Sequence, residues 1–235
     1  MQTCSRQAAV DKIKQTSRIT FLTGAGISTP SGIPDYRSLQ GVYQGMETPE
    51  YLLSSDCLEN EPQKFYAFVQ QLYHPEAQAN IIHKGIAQLA KEKNIHVVTQ
   101  NIDGLHEQAG SKNCVHFHGS LYDCYCRNCG EKISWQDYMQ SDQHQKCLGQ
   151  IRPGIVLYGE GISQICVEQA IEAVQQAELI IIVGTSFQVR PFCDLIHYKN
   201  ASAEILVINQ ENIYLPYPFS FLKEDAQTVF ASLNY

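Results

Sequence analysis

The chain has 235 residues, of which 44% are hydrophobic and 17% charged, and its formal net charge is −7. This composition is typical of a globular protein and excludes a disordered chain. The length fits one large domain with at most a small insert. The negative charge argues against non-specific binding of nucleic acid. No apolar run reaches the roughly 18 residues of a membrane span, and residues 1–14 lack the apolar segment of a secretory signal. We therefore expect a cytoplasmic protein whose nine cysteines are reduced.

Four short apolar runs rich in β-branched residues predict strands that are covered on both faces. They lie at residues 18–23, 96–100, 179–184 and 204–209. Helical patterns at 82–90 and 167–177 alternate with them. The alternation predicts an α/β fold with a Rossmann-like, mostly parallel sheet and helices on both faces. Ligands of such sheets bind at the carboxyl ends of the strands.

Two segments interrupt the alternation. Residues 38–75 have a partly helical pattern, and residues 122–152 contain a cysteine cluster and few apolar residues. We predict a single domain, residues 1–235, with a large lobe of residues 1–37, 76–121 and 153–235. The small lobe then consists of 38–75, which is helical, and 122–152, which is built around a metal.

The first predicted strand is followed by the sequence Gly-Ala-Gly-Ile-Ser at residues 24–28. A glycine pair after a strand lets the backbone approach a pyrophosphate closely. The third glycine of the dinucleotide motif is missing, so a plain strand-to-helix turn explains this stretch equally well. Tyr36 and Arg37 follow shortly after, where an aromatic ring can cover a ligand and a guanidinium can pair with a phosphate or carboxylate.

Two further stretches carry candidate site residues: one follows a predicted strand, and the other is itself strand-like. Residues 99–106, Thr-Gln-Asn-Ile-Asp-Gly-Leu-His, place amide and carboxylate groups at the ligand edge, where they orient a ribose or carboxamide or simply close a turn. In the stretch 114–120, His116 and His118 are two residues apart and should point the same way on a strand. Such a pair suits either metal ligands or a general base with its neighbour.

The cysteine cluster has metal-ligand spacing. Cys126 and Cys129 are separated by two residues, and His144 and Cys147 repeat this spacing after a gap of fourteen residues. Paired spacing of this kind predicts a tetrahedral zinc site, structural because four protein ligands leave no open position. Cys124 is the rival of His144 as third ligand, and a site that binds no metal is the remaining alternative.

These motifs together resemble the sirtuin family over about residues 10–230. Residues 24–37 resemble GAGxSxxSGIPDFR and depart from it at Tyr36, where phenylalanine is commoner, and residues 99–106 match TQNIDxLH in full. Where the family usually reads ELHG, residues 116–119 read HFHG, which aligns His118 with the catalytic histidine and His116 with the glutamate. Residues 152–160 and 184–191 resemble RPxVVxFGE and GTSLxVxP.

The resemblance implies an NAD-dependent protein lysine deacylase with one structural Zn²⁺. It implies that His118 is the catalytic base and that Asn101 and Asp103 complete the catalytic set. The implied NAD-binding residues are Gly24, Ala25, Gly26, Thr29, Tyr36, Arg37, Gln100, Asn101, Ile102, Asp103, His118, Gly184, Thr185, Ser186, Asn209 and Asp225. The implied zinc ligands are Cys126, Cys129, His144 and Cys147. The residues implied to bind the substrate peptide are Val156, Tyr158, Gly159, Glu160, Phe187 and Val189.

For the reaction, the resemblance implies acylated-lysine proteins as substrates and nicotinamide, O-acyl-ADP-ribose and free lysine as products. Sirtuins that remove succinyl groups carry a Tyr-x-x-Arg pair, whereas Tyr66 is followed at the fourth place by Val69, so we expect neutral acyl groups. An NAD glycohydrolase or ADP-ribosyltransferase that uses the same pocket is the alternative enzyme. A non-enzymatic NAD-sensing adaptor is the third hypothesis.

Overall fold

The computed structural model describes residues 1–35 and 47–233. Its strands are β1 Gln2–Thr3, β2 Arg18–Thr23, β3 Asn94–Thr99, β4 Cys114–His116, β5 Gly119–Cys126, β6 Lys132–Ile133, β7 Ile151–Ile155, β8 Leu179–Val183, β9 Glu204–Asn209 and β10 Ser220–Lys223. Its α-helices are α1 Arg6–Gln15, α2 Pro49–Leu52, α3 Ser55–Asn60, α4 Pro62–Gln70, α5 Ile81–Leu89, α6 Leu105–Gln108, α7 Trp135–Gln140, α8 Gln164–Gln176 and α9 Ala226–Ala231. Within these ranges, none of the helices combines the length and the apolar character that a membrane crossing requires.

Seven strands form one parallel sheet in the order β1-β10-β9-β8-β2-β3-β4. All five residues of β8 are buried, because one core packs against Ile181 and Val183 on one face and another against Ile180 and Ile182 on the other. Strands covered on both faces read as continuous apolar runs. The predicted Rossmann-like α/β fold is confirmed.

The order of the sheet reverses between β2 and β8. From β2 the chain continues outward to β3 and β4, and when it returns through β8 it continues outward in the other direction to β9 and β10. A crevice forms at such a reversal, at the carboxyl ends of the strands, and it is where ligands of open α/β sheets bind. The loops after β2, β3 and β8 all reach this crevice.

Asn80 connects a helix start to the loop after β2. Its Oδ1 accepts a hydrogen bond from the Ile82 amide at 2.9 Å and so caps α5. Its Nδ2 donates to the Ile27 carbonyl and to Ser31 Oγ, both at 2.8 Å. The loop after β2 is therefore fixed to the helix that precedes β3.

A separate three-stranded antiparallel sheet, in the order β6-β5-β7, spans the stretch 122–152 predicted as a metal module and extends a few residues beyond it at both ends. It shares a core with the helices α2, α3 and α4, in which Phe65 and Phe68 pack with Tyr138 and Ile151. The two interrupting segments therefore pack on each other. The lobe boundaries at residues 38–75 and 122–152 stay a prediction, and part of the first segment lies outside the described residues.

Two of the four predicted strands, 18–23 and 204–209, have the observed bounds. The strand predicted at 96–100 runs instead from Asn94 to Thr99. The strand predicted at 179–184 ends at Val183, because Gly184 turns the chain out of the sheet with a φ of 63°. Both differences concern the ends of the strands that carry the site.

Candidate active site and metal centre

The loops after β2 and β8 touch each other at two glycines. The Gly26 amide donates a hydrogen bond to the Gly184 carbonyl at 2.8 Å. A Cβ atom on Gly26 would lie 2.9 Å from Gly184 Cα, closer than real Cβ atoms come to a backbone atom. Only a residue without a side chain allows this approach, so Gly26 and Gly184 make the contact between the two loops possible.

A buried donor is left without a partner at the same edge. Thr185 Oγ1 donates to Gln100 Oε1 at 2.9 Å, which fixes the orientation of the Gln100 amide. Gln100 Nε2 is buried and has no hydrogen-bond partner among the described residues. An unsatisfied buried donor costs about 1–3 kcal/mol. The hydroxyl, phosphate and carboxamide oxygens of NAD are acceptors that would satisfy it, so the site fits the implied cofactor.

Ser28 joins two of the predicted catalytic residues. Asn101 Nδ2 donates to Ser28 Oγ at 3.0 Å and to the Gly24 carbonyl at 3.1 Å. Ser28 Oγ in turn donates to Asp103 Oδ2 at 2.6 Å. Asn101 and Asp103 are thus held by a buried serine whose role the sequence analysis missed. The matching serine position in the glycine motif was the available signal.

Asp103 is a carboxylate in a largely desolvated position. Burial raises its pKa, and the hydrogen bonds from Ser28 and from the Leu105 amide oppose that rise. The Leu105 contact, at 3.0 Å, also places Asp103 at the start of α6. Its two oxygens therefore have fixed directions before any ligand binds.

His118 follows the edge strand β4 in a turn. Gly119, the next residue, has a φ of 79°, and a Cβ there would lie 2.0 Å from the Gly154 carbonyl oxygen. The Val156 amide donates to the His118 carbonyl at 2.9 Å. The turn that presents His118 therefore depends on the glycine and on the chain that leaves β7.

Eleven of the predicted site residues line one cleft with a volume of about 360 Å³. They are Ala25, Gln100, Asn101, Ile102, Asp103, His118, Val156, Tyr158, Gly159, Glu160 and Val189. The cleft is also lined by residues of the helical segment that the sequence analysis did not predict, namely Pro49, Glu50, Leu53 and Leu72. They reach the cleft through packing of distant elements, which no local motif signals.

The remaining described residues of the predicted set lie outside the lining of this cleft: Gly24, Gly26, Thr29, Gly184, Thr185, Ser186, Phe187, Asn209 and Asp225. Asn209 Nδ2 donates to the Thr185 carbonyl at 3.2 Å, which ties the end of β9 to the loop after β8. Asp225 caps α9 by accepting from the Gln227 amide at 2.8 Å. Tyr36 and Arg37 lie outside the described residues.

The segment 152–160, whose last residues are predicted to bind the substrate peptide, is only partly a strand. β7 ends at Ile155, and Tyr158 already forms a bridge in which its amide donates to the Leu53 carbonyl and its carbonyl accepts from the Ser55 amide, both at 2.9 Å. The Glu160 carboxylate accepts hydrogen bonds from the buried Arg152. Leu53, Ser55 and Arg152 therefore hold the loop after β7 in place.

Phe187 and Val189 lie in the loop after β8. The Phe187 side chain is buried and packs edge-on against Phe192, with ring centroids 5.8 Å apart. Val189 lines the cleft, and its carbonyl accepts from the Cys193 amide at 3.0 Å. Only Val189 of this pair therefore presents its side chain to the cleft.

His116 and His118 line different cavities. β4 ends at His116 and the chain turns at Phe117, so the expectation that both histidines point the same way is wrong. His118 lines the cleft described above, whereas His116 pairs with Glu107 at 2.5 Å and lines a second cavity. The pair with Glu107 raises the pKa of His116.

Cys126, Cys129, His144 and Cys147 lie together as predicted, with one ligand atom of each within 4.8 Å of the others. The distances are 3.4 Å between the sulfurs of Cys126 and Cys147, and 3.4 and 3.2 Å from His144 Nδ1 to the sulfurs of Cys129 and Cys147. Ligands on a tetrahedral zinc ion are about 3.4–3.8 Å apart. The cluster fits one structural Zn²⁺ with a Cys₃His ligand set.

Cys124, the rival ligand, points elsewhere. Its thiol donates to the Leu121 carbonyl at 3.4 Å and lies 3.4 Å from the Tyr73 hydroxyl, inside the core beneath β5. Glu131 lies 3.7 Å from His144 Nε2, where an outer carboxylate orients a metal-bound imidazole. His144 therefore has the surroundings of a ligand, and Cys124 does not.

The family model described as the Sir2 family matches residues 24–191. The chain belongs to the Sir2 family. This Sir2-family chain is 59% identical over 234 residues to an NAD-dependent protein deacetylase of Enterococcus faecalis, a match that covers 100% of this chain and 99% of the relative. It is 55% identical to an NAD-dependent protein deacetylase of Listeria innocua, over 95% of this chain and 98% of the relative.

Solved structures give the same result for the fold. The crystal structure of a Sir2 homologue–NAD complex matches with a TM-score of 0.87 and 29% identity, over 99% of this chain and 93% of that one. A Sir2–p53 peptide–NAD⁺ complex matches with a TM-score of 0.84 and 28% identity, over 98% and 97% of the two chains. The predicted membership of the sirtuin family is confirmed.

His144→Ala should remove the structural zinc, so that the metal retained after dialysis against a mild chelator falls from about one per chain to near zero. The melting temperature should fall too, because the cluster joins the β5–β6 turn to the segment before β7. Zinc content by mass spectrometry and thermal unfolding measure both effects. His144→Cys and Cys124→Ser are the matched controls and should keep the metal. Loss of zinc in Cys124→Ser with retention in His144→Ala would reverse the ligand assignment.

Proposed function

We propose that this Sir2-family chain is an NAD-dependent protein lysine deacetylase. The observation that carries the proposal is the cleft, in which His118, Asn101 and Asp103 lie together beside the carboxyl edge of the parallel sheet. The relatives from Enterococcus and Listeria are named for this activity. One similar solved structure contains a peptide together with NAD⁺.

We assign the role of general base to His118. A neutral imidazole accepts a proton near pH 7, which suits it to activate a hydroxyl group. The ring lies beside the buried ring of Phe192, with centroids 6.4 Å apart, and the Val156 amide holds the main chain. Contacts within the protein thus limit the motion of the imidazole.

The residues that would hold NAD are those of the loops after β2, β3 and β8, together with Tyr36, Arg37, Asn209 and Asp225. Gln100 Nε2 would donate to an oxygen of the ligand, and Asp103 would accept from a ligand amide or hydroxyl. When bound, NAD supplies a ribose carbon that accepts the acyl oxygen as nicotinamide leaves. The proposed reaction consumes one water and gives nicotinamide, O-acyl-ADP-ribose and free lysine.

We propose that acylated-lysine proteins bind along Val156–Glu160 and the loop that carries Phe187 and Val189. The Tyr158 main chain is already paired with Leu53 and Ser55, so the peptide would bond to the backbone of Gly159 and Val189 on either side of it. Main-chain bonds of this kind give affinity with loose sequence preference. A broad set of substrates follows.

The proposed setting of the reaction is the cytoplasm. All nine cysteines are outside disulfides, and three of them join His144 in the cluster that fits zinc, as expected in a reducing compartment. Nucleic acid is not a proposed partner, since the net charge is −7.

His118→Ala should lower the rate of NAD-dependent deacetylation by about 10²–10⁴-fold, the usual contribution of a general base. NAD binding should be retained, because the substitution leaves the loops after β2 and β8 intact. The assay measures free lysine from an acetyl-peptide with and without NAD. His197→Ala, a change to an exposed histidine outside the cleft, is the matched control and should keep full activity.

Deacetylation without NAD, or at an unchanged rate in His118→Ala, would contradict the mechanism. Nicotinamide release at the same rate with and without peptide would favour the glycohydrolase alternative. NAD binding with no turnover of any kind would favour the adaptor.

We further propose that the enzyme prefers neutral acyl groups. The cleft has an apolar wall that includes Leu53, Leu72 and Leu157, and Val69, at the place of the desuccinylase arginine, is buried in the core. Leaving a succinyl carboxylate there without a partner is costly. The kcat/KM for an acetyl-peptide should exceed that for the matched succinyl-peptide by at least about tenfold, or 1.4 kcal/mol. Faster removal of succinyl than of acetyl would contradict this preference.

A further inference from the structure

A second cavity of about 390 Å³ lies on the other side of Asp103 from the active-site cleft. Asp103 lines both cavities. Three carboxylates face the second one, those of Asp103, Glu107 and Asp123, and its described lining contains no lysine or arginine. A concave site with this charge balance attracts cations.

Three different ligand types converge beside this cavity, which Glu107 and His116 line. Glu107 lies on α6, while Cys114 and His116 lie two residues apart on the edge strand β4 and therefore point to the same side. One ligand atom from each lies within 4.8 Å of the other two. Glu107 Oε1 is 2.5 Å from His116 Nε2.

The imidazole of His116 also has a nitrogen without a partner. Nδ1 is buried, and no described group bonds to it. His116 replaces the glutamate that the family usually has, so the chain places an additional nitrogen ligand here. The function assigned to the active-site cleft uses none of these three side chains.

We propose that Glu107, Cys114 and His116 form a second metal site, which binds a borderline divalent cation such as Zn²⁺. One thiolate, one imidazole and one carboxylate select zinc-like ions over Mg²⁺ or Ca²⁺, which require oxygen ligands. Three protein ligands leave a fourth position open toward the cavity, where water or a small anion would bind. The Cys₃His cluster has no such position.

Metal binding releases protons, because zinc takes a thiolate and a neutral imidazole as ligands, and these protons pass to solvent. The exposed Glu107 side chain must also move, because an oxygen and a nitrogen on one tetrahedral zinc ion are more than about 3 Å apart, whereas Glu107 Oε1 lies 2.5 Å from His116 Nε2. With three protein ligands instead of four, this site holds its ion less tightly than the structural one and exchanges it more readily.

The test counts zinc per chain in protein that keeps its structural zinc. The protein is dialysed against a mild chelator, and zinc is then measured by mass spectrometry at a fixed free Zn²⁺ concentration set by a metal buffer. Wild type should hold about two zinc ions per chain, one in each cluster, and lose one of them on return to the chelator. Glu107→Gln and Cys114→Ser should each hold about one under the same conditions.

The matched controls remove a carboxylate and a thiol elsewhere. Glu92→Gln changes an exposed glutamate in the turn after α5, and Cys193→Ser changes a half-buried thiol, and both should keep two zinc ions. Glu107 is exposed, so Glu107→Gln remains informative even if Cys114→Ser fails to fold. A wild type that binds only one zinc, or a Glu107→Gln or folded Cys114→Ser variant that still binds two, would overturn the proposal.

Discussion

The loops after β2 and β8 touch each other in the middle of the sheet, and the proposed active site is built around this contact. The Gly26 amide bonds to the Gly184 carbonyl at the point where the order of the parallel strands reverses. Parallel pairing places β2 and β8 side by side, but only the absence of side chains on the two glycines allows their loops to touch. The crevice that binds ligands in open α/β sheets takes its shape here from this backbone contact.

Hydrogen bonds extend from the contact to the proposed catalytic side chains. Asn101 donates to the Gly24 carbonyl and to Ser28, and Ser28 donates to Asp103. Thr185 orients Gln100 in the same way. Each polar group therefore has its direction before a ligand enters, which is the preorganisation that catalytic sites require. The chain that leaves β7 contributes as well, since the Val156 amide bonds to the carbonyl of His118, the proposed general base.

Predictions from the sequence are accurate where a local pattern matches the burial or clustering that the tertiary structure imposes. β8 is buried on both faces, so its apolar run has one interpretation, and the cysteine spacing led directly to the cluster with His144. The two hydrogen bonds that Ser28 makes, with Asn101 and Asp103, join residues about 75 positions apart. The glycine motif marks the position of the serine but not its distant partners. Tyr158 was predicted to bind the substrate peptide, because motif resemblance shows alignment and does not show which backbone groups neighbouring loops already occupy.

The contact between the two glycine loops is tested most directly by NAD binding to Gly26→Ala, measured by isothermal titration calorimetry. The added methyl group must separate the loops, so affinity should fall by at least about tenfold while the fold persists in circular dichroism. Gly161→Ala is the matched control, because a Cβ there meets nothing within 4 Å, and it should bind NAD as wild type does. Wild-type affinity in folded Gly26→Ala would contradict the claim that the site depends on this contact.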